Sequence, residues 1–164
     1  MAARIVILNG PNLNFLGIRE PDIYGSTTLK QIEDSCHALA DQLGVSVSFH
    51  QSNMEGELVG LIQSAHGQAD AIIINPAGYS FTSVALIDAL NIFDGVKIEL
   101  HISNIHARDE LHRHSITSRA CTAVICGLGA YGYLAAILAV VQRLGQLPET
   151  IPPALHGLAL TGKM

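Results

Sequence analysis

Residues 71–93, AIIINPAGYSFTSVALIDALNIF, decide the fold. Residues 71–74 form a short aliphatic run rich in Ile, and Asn75-Pro76-Ala77-Gly78 closes it as a turn. Thr82 or Ser83 then caps a helix that continues to about Phe93. A strand without polar alternation is buried on both faces, which predicts a parallel sheet covered by helices on each side.

The same rhythm extends outward from this unit. Residues 5–8 read as a first strand, bounded by the turn Asn9-Gly10-Pro11-Asn12. Residues 28–43 read as a helix: Thr28 and Gln31 can form a capping box, Leu29, Ile32, Cys36, Leu39 and Leu43 follow a helical period, and Gly44 closes it. Residues 45–50 alternate as a second strand, and Asn53 is expected to cap a helix to about His66, with Leu58, Ile62 and Ala65 on one face. Residues 98–102 and 123–126 give the fourth and fifth strands, and 131–144 the last long helix. Pro148, Pro152 and Pro153 mark a non-regular tail from about 148. Five strand–helix units in 164 residues predict an α/β protein. The architecture expected is a flavodoxin-like three-layer sandwich with a five-stranded parallel sheet, formed as a single domain over 1–164.

Composition bounds the rest. The chain is 49% hydrophobic and 14% charged, which excludes a disordered or low-complexity segment. So many apolar residues in a chain of this size predict surface buried between subunits, hence a homo-oligomer. Residues 1–82 carry three basic and eight acidic groups, and residues 83–164 six of each, so no basic stripe is present and nucleic acid is not an expected partner. The opening apolar run is too short for a signal-peptide core, and no stretch of 18 apolar residues suggests a membrane span. Cys36, Cys121 and Cys126 form no CxxC pair, which favours a reducing, cytoplasmic setting. Eight histidines occur without an HExxH arrangement, so no metal is expected.

In such folds ligands sit beyond the carboxyl ends of the strands. Those ends are residues 9–24, 50–53, 75–81, 101–104 and 127–132, and the polar residues concentrate there. The GLGAYG run at 127–132 follows the fifth strand and not the first, so its glycines read as turn and packing positions more readily than as a nucleotide cradle.

Five segments at these ends carry a resemblance: GPNLN at 10–14, GIREPDIYG at 17–25, NPAGYSFTSVAL at 75–86, ELHISNIHAR at 99–108 and CGLGAYGY at 126–133. Together and in this order they resemble the type II 3-dehydroquinate dehydratase family over nearly the whole chain. The resemblance implies a dodecamer built as a tetramer of trimers. It also implies anti elimination of water from 3-dehydroquinate, a small cyclic carboxylate, through an enolate, with no metal, Schiff base or organic cofactor, in shikimate or quinate metabolism.

The reaction needs a base, an acid and an anchor for an anion. Tyr24, on a segment at about 17–26 that resembles the family's lid, is the implied base. A free phenol titrates near pH ~10, so it needs a nearby cation, for which Arg19 is placed five residues upstream. A surface tyrosine packed under a loop is the plainer alternative. His101 is the implied general acid, with Glu99 two residues earlier on the same side of the strand to hold its tautomer; a satisfied structural histidine is the other reading. Asn12 resembles the residue that holds a water at the enolate oxygen, although turn formation alone would explain it. Asn75 and the backbone of Ile102 and Ser103 are implied to meet the substrate carboxylate, and Asp88 to reach a neighbouring subunit's site.

Two positions depart from the family. Its segment usually reads NPxAYTHTS, and the histidine that bonds a ring hydroxyl is here Phe81. Its substrate-binding arginine is here His112, with Arg113 beside it as a possible substitute. These changes spare the acid and base candidates and touch the distal hydroxyl contacts. They leave open a slower dehydratase, a paralogue for a related cyclic β-hydroxy ketone carboxylate, or an impaired ligand-binding homologue.

Overall fold

A computed structural model describes residues 1–18 and 20–157. Five strands form its sheet: β1 Arg4–Asn9, β2 Ser46–Gln51, β3 Ala71–Asn75, β4 Val96–His101 and β5 Ala123–Cys126. Six α-helices accompany them: α1 Pro21–Tyr24, α2 Leu29–Leu43, α3 Glu55–Ala65, α4 Val84–Ile92, α5 Tyr131–Arg143 and α6 Pro153–His156. All strand pairs are parallel, in the order β2-β1-β3-β4-β5, so the expected flavodoxin-like sheet is what forms.

The alternation of side chains across each strand explains the apolar run that starts the sequence reading. Ile73 faces a core with Ile5, Ile7, Ile98 and Leu100, covered by Ile32, Cys36 and Ala40 of α2 and by Tyr133, Ile137 and Val140 of α5. Ile72 and Ile74 face the opposite core, under Leu58 and Ile62 of α3 and Leu86 and Leu90 of α4. Every residue of β3 is buried, because it is the central strand and both of its faces are roofed.

The helix signals at α2 and α4 act as expected. Thr28 and Gln31 form the reciprocal capping box, and Gly44 ends α2 in the left-handed region at φ 68°. Ser83, not Thr82, caps α4 by accepting the Leu86 N–H at 2.9 Å. At α3 the expectation fails. The capping position is Met54, and Asn53 instead turns its side chain outward to accept the Asn12 N–H at 2.9 Å and a Gln51 amide hydrogen at 3.1 Å. Ser52 supplies the local turn, its hydroxyl accepting the Met54 N–H at 2.9 Å. Asn53 is thereby spent on joining two strand-end loops. Among the described residues of the tail, Pro153 occupies the first turn of the short α6, where its missing N–H costs nothing.

Register brings Asn9 of β1 beside Asn75 of β3, so two amide side chains meet at the carboxyl edge of the sheet. Gly10 follows there because the chains approach closely. A Cβ at that position would stand 2.4 Å from the Pro76 carbonyl oxygen, and the Gly10 N–H bonds the Asn75 carbonyl at 2.8 Å.

Candidate active site

A cleft opens beyond the carboxyl ends of β1, β3 and β4, with about 170 Å³ of open volume. One water needs roughly 10–15 Å³ of such space, so the cleft takes on the order of ten heavy atoms, the size of a small substituted ring. Asn12, Tyr24, Asn75, Phe81, His101, Ile102, Ser103 and His112 all line it, although they come from four separate stretches of chain. Two linings are in strained backbone: Asn12 at φ 68° and Ala77 at φ 51°. A residue with a Cβ is held there only by its surroundings, at a cost of about 1–3 kcal/mol, and such strain clusters at functional sites.

The His101 side of the cleft is buried. His101 closes β4 and is 4% exposed, and its Nε2 lies 2.7 Å from Glu99 Oε1. Glu99 is fully buried, and it also accepts hydrogen bonds from the Ser115 hydroxyl at 2.5 Å and the Thr117 hydroxyl at 2.6 Å. A buried carboxylate is tolerable only with its oxygens satisfied, which these three partners achieve. Ser115 and Thr117 had no part in the sequence reading. They follow His112 in a segment far from any strand end, so only the fold could bring them under Glu99.

The Tyr24 side of the cleft is half-exposed. Tyr24 ends the single turn of α1, which is held locally by N–H bonds from Ile23 and Tyr24 to the Glu20 carbonyl. The Arg108 guanidinium lies over the Tyr24 ring, 5.6 Å from its centroid. Arg19, expected to supply this charge, lies outside the described residues. Arg108 also lines the cleft. It was visible in the sequence as the last residue of ELHISNIHAR, four positions beyond the strand-end segment considered, and so drew no role.

Asn75 sits in a buried network. Its Nδ2 donates to the Tyr133 hydroxyl at 3.2 Å, which donates to Asn9 Oδ1 at 2.7 Å, while Asn75 Oδ1 accepts the Ala77 N–H at 3.2 Å. Burial pushes the Tyr133 hydroxyl well above the ordinary phenol range, so it stays a neutral donor. The amide of Asn75 is thus fixed with its oxygen turned to the backbone and its remaining N–H available to a ligand.

Phe81 forms an apolar wall. Its ring lies nearly parallel to His101, with centroids 6.4 Å apart, and edge-on to His112 at 5.5 Å. His112 Nδ1 is 2.8 Å from Asp109, and this hydrogen bond, ahead of lesser causes, holds the exposed Asp109 carboxyl below its usual range. Arg113 does not replace the missing arginine: it pairs with Glu110 and is not among the cleft linings, as the 3₁₀ turn at Glu110–His112 directs the two side chains apart. Asp88 is exposed on α4 and does not line the cleft of its own chain. Gly127 and Gly129 turn with positive φ after β5, and Gly132 lets α5 approach Leu100, where a Cβ would stand 2.9 Å from Cδ1.

Among the described residues, the cleft lining contains Arg108, His101 and His112 and no carboxylate. Arg108 is thus the cation that this lining, among the described residues, presents to an anion. A doubly covered parallel sheet with a histidine–carboxylate pair and a tyrosine–arginine pair facing one cleft defines an α/β enzyme equipped for acid–base chemistry.

Comparison with known proteins gives the family. The profile described as "Dehydroquinase class II" matches residues 3–141. The chain is 53% identical over 146 residues to the 3-dehydroquinate dehydratase of Bartonella henselae, covering 89% of this chain and 99% of that one. It is 55% identical over 137 residues to the catabolic 3-dehydroquinase of Verticillium alfalfae, covering 84% and 91%. Among solved structures, the type II dehydroquinase from Butyrivibrio crossotus superposes with a TM-score of 0.83 at 39% identity, covering 85% of this chain and 97% of that one. The chain belongs to the class II dehydroquinase family, and at the level of that family it is a hydro-lyase.

Proposed function

We propose that this cleft dehydrates 3-dehydroquinate to 3-dehydroshikimate by anti elimination through an enolate. The observation that carries the reading is that Tyr24 with Arg108, and His101 with Glu99, face one cleft of the right size. Tyr24 removes the proton alpha to the ketone, with the Arg108 guanidinium against its ring as the neighbouring cation. Arg19 adds to this charge if its segment closes over the ligand. Asn12 holds a water against the enolate oxygen, and His101, oriented by Glu99, protonates the departing hydroxyl. Asn75, presenting N–H, and the backbone at Ile102 and Ser103 hold the ring carboxylate. No cofactor enters the scheme.

Asp88 is assigned to a neighbouring subunit's cleft, in a dodecamer arranged as a tetramer of trimers. Its exposed place on α4 supports this, as do Val124, Leu128 and Tyr131, which leave apolar surface open along the β5 edge and the start of α5. The three unpaired cysteines suit a cytoplasmic setting, and relatives named for catabolic and for general dehydratase activity are about equally similar.

The test is product formation from 3-dehydroquinate, followed at the enone absorbance. Turnover that is lost in His101→Ala supports the reading, and none above background in the wild type overturns it. Phe81 favours a second reading. An aromatic wall cannot bond a ring hydroxyl, so a related cyclic β-hydroxy ketone carboxylate lacking that hydroxyl fits the same chemistry. Faster turnover of such a ring than of 3-dehydroquinate would establish it.

A further inference from the structure

Glu99 has an unusual set of partners for a buried carboxylate. Oε1 receives His101 Nε2 at 2.7 Å and the Ser115 hydroxyl at 2.5 Å, and Oε2 receives the Thr117 hydroxyl at 2.6 Å. The hydroxyls are themselves aimed. Ser115 Oγ accepts the Ser118 N–H at 3.3 Å and lies 3.2 Å from Thr117 Oγ1 and 3.5 Å from the Ser80 carbonyl, and the Glu99 carboxylate is its shortest contact. Thr117 is fully buried at the start of the 3₁₀ turn Thr117–Ala120, and the Ile116 N–H fastens that segment to the Ser80 carbonyl at 2.8 Å, next to Phe81.

The charged and titratable groups around this carboxylate are few. Lys97, on the same strand, spends its ammonium on the Leu90 and Phe93 carbonyls at 3.1 and 2.6 Å. Cys121, whose Sγ meets the Thr117 carbonyl at 3.7 Å, is pushed up to about 12 by burial first and by the Glu99 charge second, so it remains a neutral thiol. His101 is then the one titratable group hydrogen-bonded to Glu99 among the described residues.

From this geometry we infer that Ser115 and Thr117 are positioning residues for proton donation by His101. Two neutral donors satisfy the Glu99 oxygens without placing a further cation beside His101. An arginine in their place would satisfy the same oxygens and weaken the hold of Glu99 on the imidazole proton. With Nε2 bound to Glu99, Nδ1 is left as the ring nitrogen for the ligand. This inference deepens the proposed acid role of His101 and rests on it for its kinetic consequence alone.

The experiment compares Thr117→Val, which keeps shape and removes the hydroxyl, with Thr117→Ser, which restores it. Ser115→Ala is the second deletion, at a half-exposed site that tolerates the change if Thr117→Val fails to fold. Two readouts are taken: the downfield proton resonance of His101 Nε2–H in the ligand-free protein, and kcat with KM for 3-dehydroquinate. The expected result is a shifted or broadened resonance and a kcat about tenfold lower, with KM within about twofold and both recovered in Thr117→Ser. An unaltered resonance in a folded deletion variant overturns the inference, as does a loss that Thr117→Ser does not recover. If the wild type fails to turn over 3-dehydroquinate, the substrate reading falls, and the resonance by itself decides this one.

Discussion

The two halves of the cleft are built differently. His101 ends a strand paired on both sides, is almost wholly buried, and leans on a carboxylate with two further donors. Tyr24 ends a four-residue helix, is half-exposed, and meets a cation from another loop through its ring face alone. On the proposed roles, a proton donor gains from a rigid mount, while a base that meets an entering ring gains from a mount outside the sheet. Energetically, substitutions on the acid side should move stability and rate together, and those on the base side should move rate alone.

The largest effects test that division directly. Tyr24→Phe and His101→Ala should each lower kcat by about 10² to 10⁴, the range for a general acid or base, measured by steady-state turnover. Thermal denaturation should show Tyr24→Phe unchanged and His101→Ala destabilised by about 1–3 kcal/mol, because Glu99 loses a buried partner. Equal destabilisation of the two variants would break the comparison. Glu99→Gln should follow, with a similar stability cost and a smaller kcat loss, since an amide N–H would confront hydroxyl hydrogens now aimed at an oxygen.

A third variant isolates the base side. Arg108→Met should reduce kcat about tenfold while the unfolding free energy stays within about 0.5 kcal/mol of wild type, as expected for a partly exposed contact. Undiminished kcat would return the role of activating cation to Arg19. At the wall between the halves, Phe81→His with His112→Arg should raise kcat/KM for 3-dehydroquinate about tenfold, by pairing a hydroxyl otherwise left unsatisfied. No gain would show that neither position contacts that substrate.

The smallest effect lies in the packing behind the acid side. Burial pushes the thiols of Cys36 and Cys121 up to about 12 from the ordinary 9.0. Above pH 9 the unfolded chain releases these protons while the folded chain keeps them, so their contribution to stability is complete below that pH and is lost as pH rises toward 12. Urea midpoints should decline across that window, and the decline should be shallower in Cys121→Ala.

The sequence was most informative where local chemistry and periodicity agree. The apolar run at β3, the Thr28–Gln31 box and Ser83 each act within a few residues of themselves, so their consequences could be read directly. Asn53 shows the opposite case. Its residue type suits a helix cap, yet a longer-range bond to the Asn12 loop won, and Ser52 took the turn. Most of the candidate site was also legible, since ligands gather at the strand ends and eight of the proposed residues line one cleft there. Asp88 was legible only as a residue, because it does not line the cleft of its own chain.

What the sequence determined by itself was the class of sheet, the strand ends at which the cleft forms, and the His101–Glu99 pair two residues apart on one strand face. Those follow from the two-residue period of a strand and from aliphatic runs too apolar to face water. Tertiary structure alone decided that Arg108 meets Tyr24, that Ser115 and Thr117 hold Glu99, and that Tyr133 reaches Asn9 across 124 positions. Each of these contacts joins segments whose spacing carries no period. They exist because the packing of two helical layers on one twisted sheet brings distant loops to the same edge.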